Sequence, residues 1–177
     1  PHPWLRYVFY LVLFKLMFLS GVVKLLSGDE SWRDLTAMTY HYWTQPLPNL
    51  FSPFMHALPV WFHKMETVMT FVIELGLPFL IFWERTRTWA ALGFAALSIT
   101  ILLTGNYTFF NWLTLALCIW LVNDDFWEVI ARYFPFQIYT QAPPNYLPWL
   151  EMGLLGGLGI LSLIFSTRWL YPDSWNH

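Results

Sequence analysis

Two side chains that could hold an ion or carry a proton lie inside runs that are otherwise apolar. Lys15 sits midway along WLRYVFYLVLFKLMFLSGVVKLLS, residues 4–27, and Glu74 sits midway along ETVMTFVIELGLPFLIFW, residues 66–83. A lone charge at the centre of a membrane-spanning helix costs about 2.5 to 3.5 kcal/mol even on mild scales, so each needs a partner. Successive antiparallel spans bring the two to similar depth, which predicts that Lys15 and Glu74 pair, directly or through one polar group or water, and set helix register. Such a pair can serve as a proton or substrate site or as a structural staple, and the staple is the simpler reading. Lys24, near the end of the first run, can reach the headgroups by snorkelling.

The richest set of donors and acceptors is the polar, aromatic island GDESWRDLTAMTYHYWTQPLP from Gly28 to Pro48. Trp32, Arg33, Asp34, Tyr40, His41, Tyr42 and Gln45 are its candidate partner-contacting residues, on an amphipathic surface helix at the membrane face. Beyond it, His56, His63 and Glu66 have spacings that suit metal ligands on one helix face, but Pro59 between the histidines breaks that helix, so no metal is expected. Asp124, Asp125 and Glu128 form an acidic cluster whose simpler role is to cap a helix start. No nucleophile elbow, phosphate loop, dinucleotide fingerprint or HExxH occurs, and no residue is assigned a catalytic role.

These groups must be positioned by helices in lipid. Hydrophobic residues make up 57% of the 177-residue chain and charged ones 11%, against about 25% charge in ordinary soluble domains. One soluble core of this size cannot hide that much apolar surface, so the expected fold is all-α: a polytopic bundle of about five transmembrane helices forming one membrane domain. The expected spans are residues 4–27, 66–83, 89–104, 107–122 and 147–165, the second kinked at Pro78. Residues 28–64 form an interfacial loop, of which Leu50 to Lys64 lies in the interface without crossing, and residues 123–146 form a surface connector. Gly153 and Gly157 give the fifth span a GxxxG face for helix packing. Asn106-Tyr107-Thr108 matches a glycosylation acceptor, but a turn so close to lipid is expected to stay bare. Counting Lys and Arg outside the spans groups Arg6, Arg85, Arg87 and Arg132 on one side and Arg33, Lys64 and Arg168 on the other, which turns the island toward the periplasm or lumen. The net charge of -2 and the lack of a basic run exclude a nucleic-acid partner. The single cysteine, Cys118, excludes an intrachain disulfide and a cysteine-based metal site. The chain starts without Met and ends just after a hydrophobic segment, which reads as a piece of something longer.

The run LFKLMFLSGVVKLLSGDESWRDLTAMTYHYWTQPLPN, followed by WFHKMETVMTFVIELGLPFLIF, TGNYTFFNWLTLALC and NDD, closely resembles the membrane core of the lipase maturation factor family over roughly Leu13 to Asp125. WRDLT, YHY, TQP, IEL, GN and FNWLT together are specific to it. Trp43 departs from the family pattern, which has Glu before TQP, so a role resting on that carboxylate does not carry over. The resemblance implies a multipass protein that in animals sits in the endoplasmic reticulum membrane and helps secreted dimeric lipases fold and assemble. It also implies a lumenal C-terminal domain that is not within these residues, and a lumenal YHY and TQP loop. The single apolar-run cysteine favours a bacterial inner membrane over the endoplasmic reticulum.

Two other classes remain in view. The family is distantly similar to the transmembrane part of vitamin K-dependent carboxylases, so a quinone or lipid in a cavity lined by Lys15, Glu74 and His41 would mark an enzyme. Alternatively, the glycine face at Gly153 and Gly157 docks the chain into a larger membrane complex as an accessory subunit. Expected partners are therefore membrane lipid and either a lipase-like client or complex subunits, with no cofactor other than a lipid or quinone.

Overall fold

A computed structural model describes residues 3–45, 49–105, 107, 109–133 and the positions 153, 156, 157, 159 and 160. The chain divides into two compact units, residues 1–8 with 136–177 and residues 9–135. In the first unit, Gly153, Gly156 and Gly157 are helical and exposed. Among the described residues nothing lies within 4 Å of where a Cβ on Gly153 or Gly157 would stand. The limits of the expected fifth span and most of the 123–146 connector fall outside the described residues.

The second unit is a bundle, and all regular structure among the described residues is helical. Its helices are α1 (Pro3–Leu26, of which residues 3–8 belong to the first unit), α2 (Glu30–Arg33), α3 (Ala37–Thr44), α4 (Ser52–His56), α5 (Val60–Phe71), α6 (Arg87–Thr104), α7 (Phe109–Cys118) and α8 (Asp124–Tyr133). A π-helical turn at Val72–Gly76 and a 3-10 run at Leu77–Phe82 extend α5, and a 3-10 turn at Ile119–Leu121 extends α7. Three stretches are long and apolar enough to cross a bilayer: Leu5–Leu26, Val60–Phe82 and Arg87–Thr104; Phe109–Leu121 is apolar but shorter. Leu11, Val12, Val68, Val72, Leu92, Ile99 and Leu103 stay exposed on their outer faces, where acyl chains replace water as the solvent. The protein is an all-α, polytopic membrane bundle.

The second crossing starts earlier than the sequence indicates. Pro59 precedes the first turn, where its missing N–H costs nothing, and its carbonyl accepts from Phe62 and His63, so the helix runs from Val60 rather than Glu66. The segment before it does stay short, as α4. Within the crossing, Pro78 removes one backbone donor and its ring crowds the carbonyl four residues back, which is that of Glu74. The ladder answers with a wider turn, the Leu77 N–H reaching the Val72 carbonyl, and then tightens to 3-10. A π-turn of this kind rotates the residues on it relative to a plain helix, and here it carries Glu74.

The core lies between α1, the 3-10 end of the second crossing, α6 and α7. Leu13, Met17, Ile81, Phe94, Leu117 and Leu121 fill it, and Ala90 and Ala91 let α6 come close. On α1, Phe14 meets Phe79 and Phe82 at centroid distances of 5.5 and 5.4 Å, and Phe18 meets Phe79 at 5.4 Å. One turn on, a Cβ at Gly21 would stand 2.6 Å from Leu75 Cδ2 and 3.2 Å from Glu74 Cβ. Gly21 therefore admits the π-turn against α1, and with the phenylalanines it fixes the register of the two crossings.

Filling that gap is a direct test of the register. Gly21→Val should lower the midpoint of thermal unfolding in detergent, with a loss of about 1 to 3 kcal/mol from overpacking, and Gly21→Ala should fall between it and the wild type. An unchanged midpoint for Gly21→Val would mean that the two helices do not approach here.

A polar cap at one end of the bundle

The register decides which lysine meets Glu74. Gly21 marks the level of Glu74 on α1, and Lys15, six residues earlier, stands about 9 Å along the helix axis from it. Lys24 is the residue that arrives: its Nζ donates to Glu74 Oε1 at 2.7 Å and Oε2 at 2.6 Å. The expected Lys15–Glu74 pair is thus replaced by Lys24–Glu74, and Lys24 is held rather than released to the headgroups. The physical reason is the register set by Phe14, Phe18 and Gly21, which puts Glu74 beside the last turns of α1. The pair is enclosed, with side chains 23% and 7% exposed. Lys24 Nζ also donates to the Ser20 carbonyl and lies 5.4 Å from the Trp32 ring centroid, and Trp32 meets Phe71 edge-on at 5.8 Å. One ring of the island thus closes over the cation.

The island folds back onto this end through short helices. Gly28, at φ 76, turns the chain out of α1. The Asp29 carboxylate accepts from the Ser31 N–H to cap α2, and these hydrogen bonds hold its carboxyl below the usual range. Arg33 and Asp34 are exposed, and neither shares an ion pair with another described residue. Tyr40 is also exposed, while Tyr42 and Gln45 are buried.

Tyr42 donates to Glu66 Oε1 at 2.8 Å, and His63 Nδ1 stands 3.0 Å from Glu66 Oε2, so one carboxylate ties α3 to the first turns of α5. Burial, and then the bond to Glu66, push the Tyr42 hydroxyl well above its ordinary range; it remains a donor. His63 is 2% exposed and its Nε2 is buried without a described partner. The spacing of His63 and Glu66 thus serves a hydrogen bond, and among the described residues no three His, Cys, Asp or Glu side chains converge as metal ligands.

Gln45 carries the second tie. Its Nε2 donates to Ser52 Oγ at 2.9 Å, to the Thr104 carbonyl at 3.1 Å and to the Tyr42 carbonyl at 3.3 Å. Ser52 Oγ donates to the same Thr104 carbonyl at 2.7 Å, and Asn49 Nδ2 reaches the carbonyls of Leu102, Leu103 and Gly105. The last carbonyls of a helix have no partner within it; here three side chains supply them. A side chain at Gly105 would overlap the Gln45 amide. His41 stacks on Tyr107 with centroids 5.7 Å apart and planes 6° apart, and Tyr107 Oη stands 3.4 Å from His41 Nδ1. Trp43 meets His56 edge-on at 5.0 Å.

The structure therefore gathers Trp32, His41, Tyr42, Gln45 and Glu74 at one end, and leaves Arg33, Asp34 and Tyr40 facing outward. Lys24, Asn49, Ser52, His63, Glu66 and Thr104 complete the set. Ser52-Pro53 at a helix start and the Tyr42, His63 and Glu66 types were visible signals; Thr104 was not, because only its backbone carbonyl takes part.

A charge-paired crossing under a polar cap defines a polytopic integral membrane protein. Residues 2–129 match the lipase maturation factor transmembrane domain. The chain belongs to the lipase maturation factor family. It is 50% identical over 124 residues to lipase maturation factor 2 of Xenopus tropicalis, covering 69% of this chain and 18% of that protein. Human lipase maturation factor 2 is 50% identical over 116 residues, 64% of this chain and 16% of that protein. Human lipase maturation factor 1 is 40% identical over 108 residues, 59% and 18% respectively. The chain thus spans less than a fifth of the length of these relatives. No solved structure matches.

Removing one partner of a buried pair leaves the other charge without compensation and costs about 3 to 5 kcal/mol, more than removing both. Glu74→Gln and Lys24→Met should each lower the unfolding midpoint strongly, the double variant less than the sum, and Lys15→Met should show no coupling to Glu74→Gln in the same cycle.

His41 gives a pH dependence. Burial, with the Lys24 charge adding to it, holds its imidazole below the ordinary 6.5. The folded state thus releases this proton more readily than the unfolded one, so the contribution is complete above 6.5 and declines as pH falls below it. Going from pH of about 7.5 to about 5.5 should lower the midpoint, and His41→Gln should reduce that loss.

Proposed function

We propose that this chain is the membrane core of a maturation factor that assists folding or assembly of a secreted, lipase-like client, with the polar cap facing the periplasm or lumen. The observation that carries the reading is the span of the likeness: the family's transmembrane domain matches residues 2–129, which include the Lys24–Glu74 pair and the cap, and relatives named lipase maturation factor 2 are about half identical over 116 to 124 residues. The orientation is supported by Arg85 and Arg87 in the short turn on the opposite end, where positive charge favours the cytoplasm. On this reading Tyr40, Arg33 and Asp34 are outward groups free to touch a client, while the buried ties hold them in place.

A second reading, an accessory subunit of a membrane complex, is favoured by the exposed Gly153 and Gly157 at helix-packing spacing.

Deleting the protein in its own cell should lower released active lipase several-fold with lipase synthesis unchanged. The wild-type protein should restore release and Glu74→Gln should not. Unchanged release, together with copurification of a stoichiometric membrane complex in mild detergent, would replace the first reading by the second.

A further inference from the structure

The outward surface of the cap has a composition that water does not explain. From Leu35 to His63 the chain contains no Asp, Glu, Lys or Arg. Around the Gln45–Asn49–Ser52 clamp, Leu50 is 86% exposed, Phe54 73%, Trp43 72% and Trp61 66%. These side chains continue the apolar outer surface of α6 and α7, because Asn49 is bonded to the last turn of α6, where Leu103 is exposed, and Phe109 opens α7 exposed.

Helix length fixes the depth. The 18 residues of α6 reach about 27 Å against ~30 Å of hydrocarbon, and α7 with its 3-10 turn reaches about 20 Å. Both helices have their charged neighbours, Glu84, Arg85, Arg87 and Asp124, at the opposite end, and that end must sit at the headgroups. The uncharged end of the hairpin, Thr104 to Phe109, therefore falls short of the other surface. Backbone carbonyls at that depth have no water and need donors from protein. The carbonyls of Leu102, Leu103, Thr104 and Gly105 obtain them from Asn49, Gln45 and Ser52.

We propose that α4, with Trp43 and Leu50 around it, is a re-entrant cap seated in the hydrocarbon of one leaflet, and that lipid acyl chains cover its outer face. The clamp acts as the donor set that makes a short hairpin tolerable below the headgroups, and the aromatic side chains fill the membrane volume that α6 and α7 are too short to occupy. Tyr40 and the α2 segment with Glu30 and Asp34 then mark the emergence into water. This inference does not rest on the lipase reading.

Nitroxide labels on single cysteines in a Cys118→Ala background, reconstituted in phosphatidylcholine vesicles, test it by their accessibility to oxygen and to an aqueous nickel chelate. Labels at Leu50 and Phe54 should match one at Ile99, with oxygen over nickel exceeding that at Glu30 by an order of magnitude. Nickel access like that at Glu30 overturns the proposal and leaves a water-facing docking surface. Shielding from both reagents also overturns it, since a second copy would then cover the face. Fluorine-labelled Phe54 in the unaltered chain gives the same reading should Cys118→Ala fail to fold.

Discussion

The organisation of this protein depends on an ion pair that a membrane makes compulsory. Glu74 sits within a crossing, 7% exposed, and neither charge of the pair could remain there alone at acceptable cost. Lys24 supplies the partner, and three features of the sequence bring it into range. Pro78 forces the π-turn that carries Glu74, Gly21 admits that turn against α1, and Phe14 and Phe18 set the sliding position of the two helices. Trp32 then closes over the cation, which links the membrane pair to the first segment of the polar island. Local structure, packing and site geometry are one chain of cause here.

From that pair outward the cap is built by satisfying groups that lipid would leave unpaired. Glu66 accepts from Tyr42 and faces His63 Nδ1, and the end of α6 accepts from Gln45, Ser52 and Asn49. Each of these bonds is modest, about 0.5 to 1.5 kcal/mol net, but each unmade one would cost more. The result is a shelf from which Arg33, Asp34 and Tyr40 face outward. Exposed and buried side chains thus alternate along one short stretch, which is why the stretch is polar and aromatic at once.

Much of this was legible in the residues. Composition demanded lipid, the long apolar runs marked the first three crossings, Pro78 announced the break in the second, and WRDLT, YHY, TQP and IEL pointed to the family to which the chain belongs. The choice of lysine was not legible, because periodicity places a charge on a helix but not against its neighbour. That choice rests on Gly21, Phe14 and Phe18, whose contacts exist only once two helices are packed. The start of the second crossing is hidden for a related reason: Pro59 reads as a breaker in a line of text, yet just before a first turn it is a helix starter. His63 and Glu66 had the spacing of ligands, and the partner that gives them another role, Tyr42, lies on a different helix.

The account stands or falls on the contact between Lys24 and Glu74, and a nitrogen–carbon dipolar distance measured by solid-state NMR in lipid bilayers reads it directly. With side-chain nitrogen labels on lysine and carboxyl labels on glutamate, assigned by Lys24→Met and Lys15→Met, the Glu74 carboxyl carbon should lie within about 4 Å of Lys24 Nζ. A short distance to Lys15 instead, or none to either lysine, would contradict it.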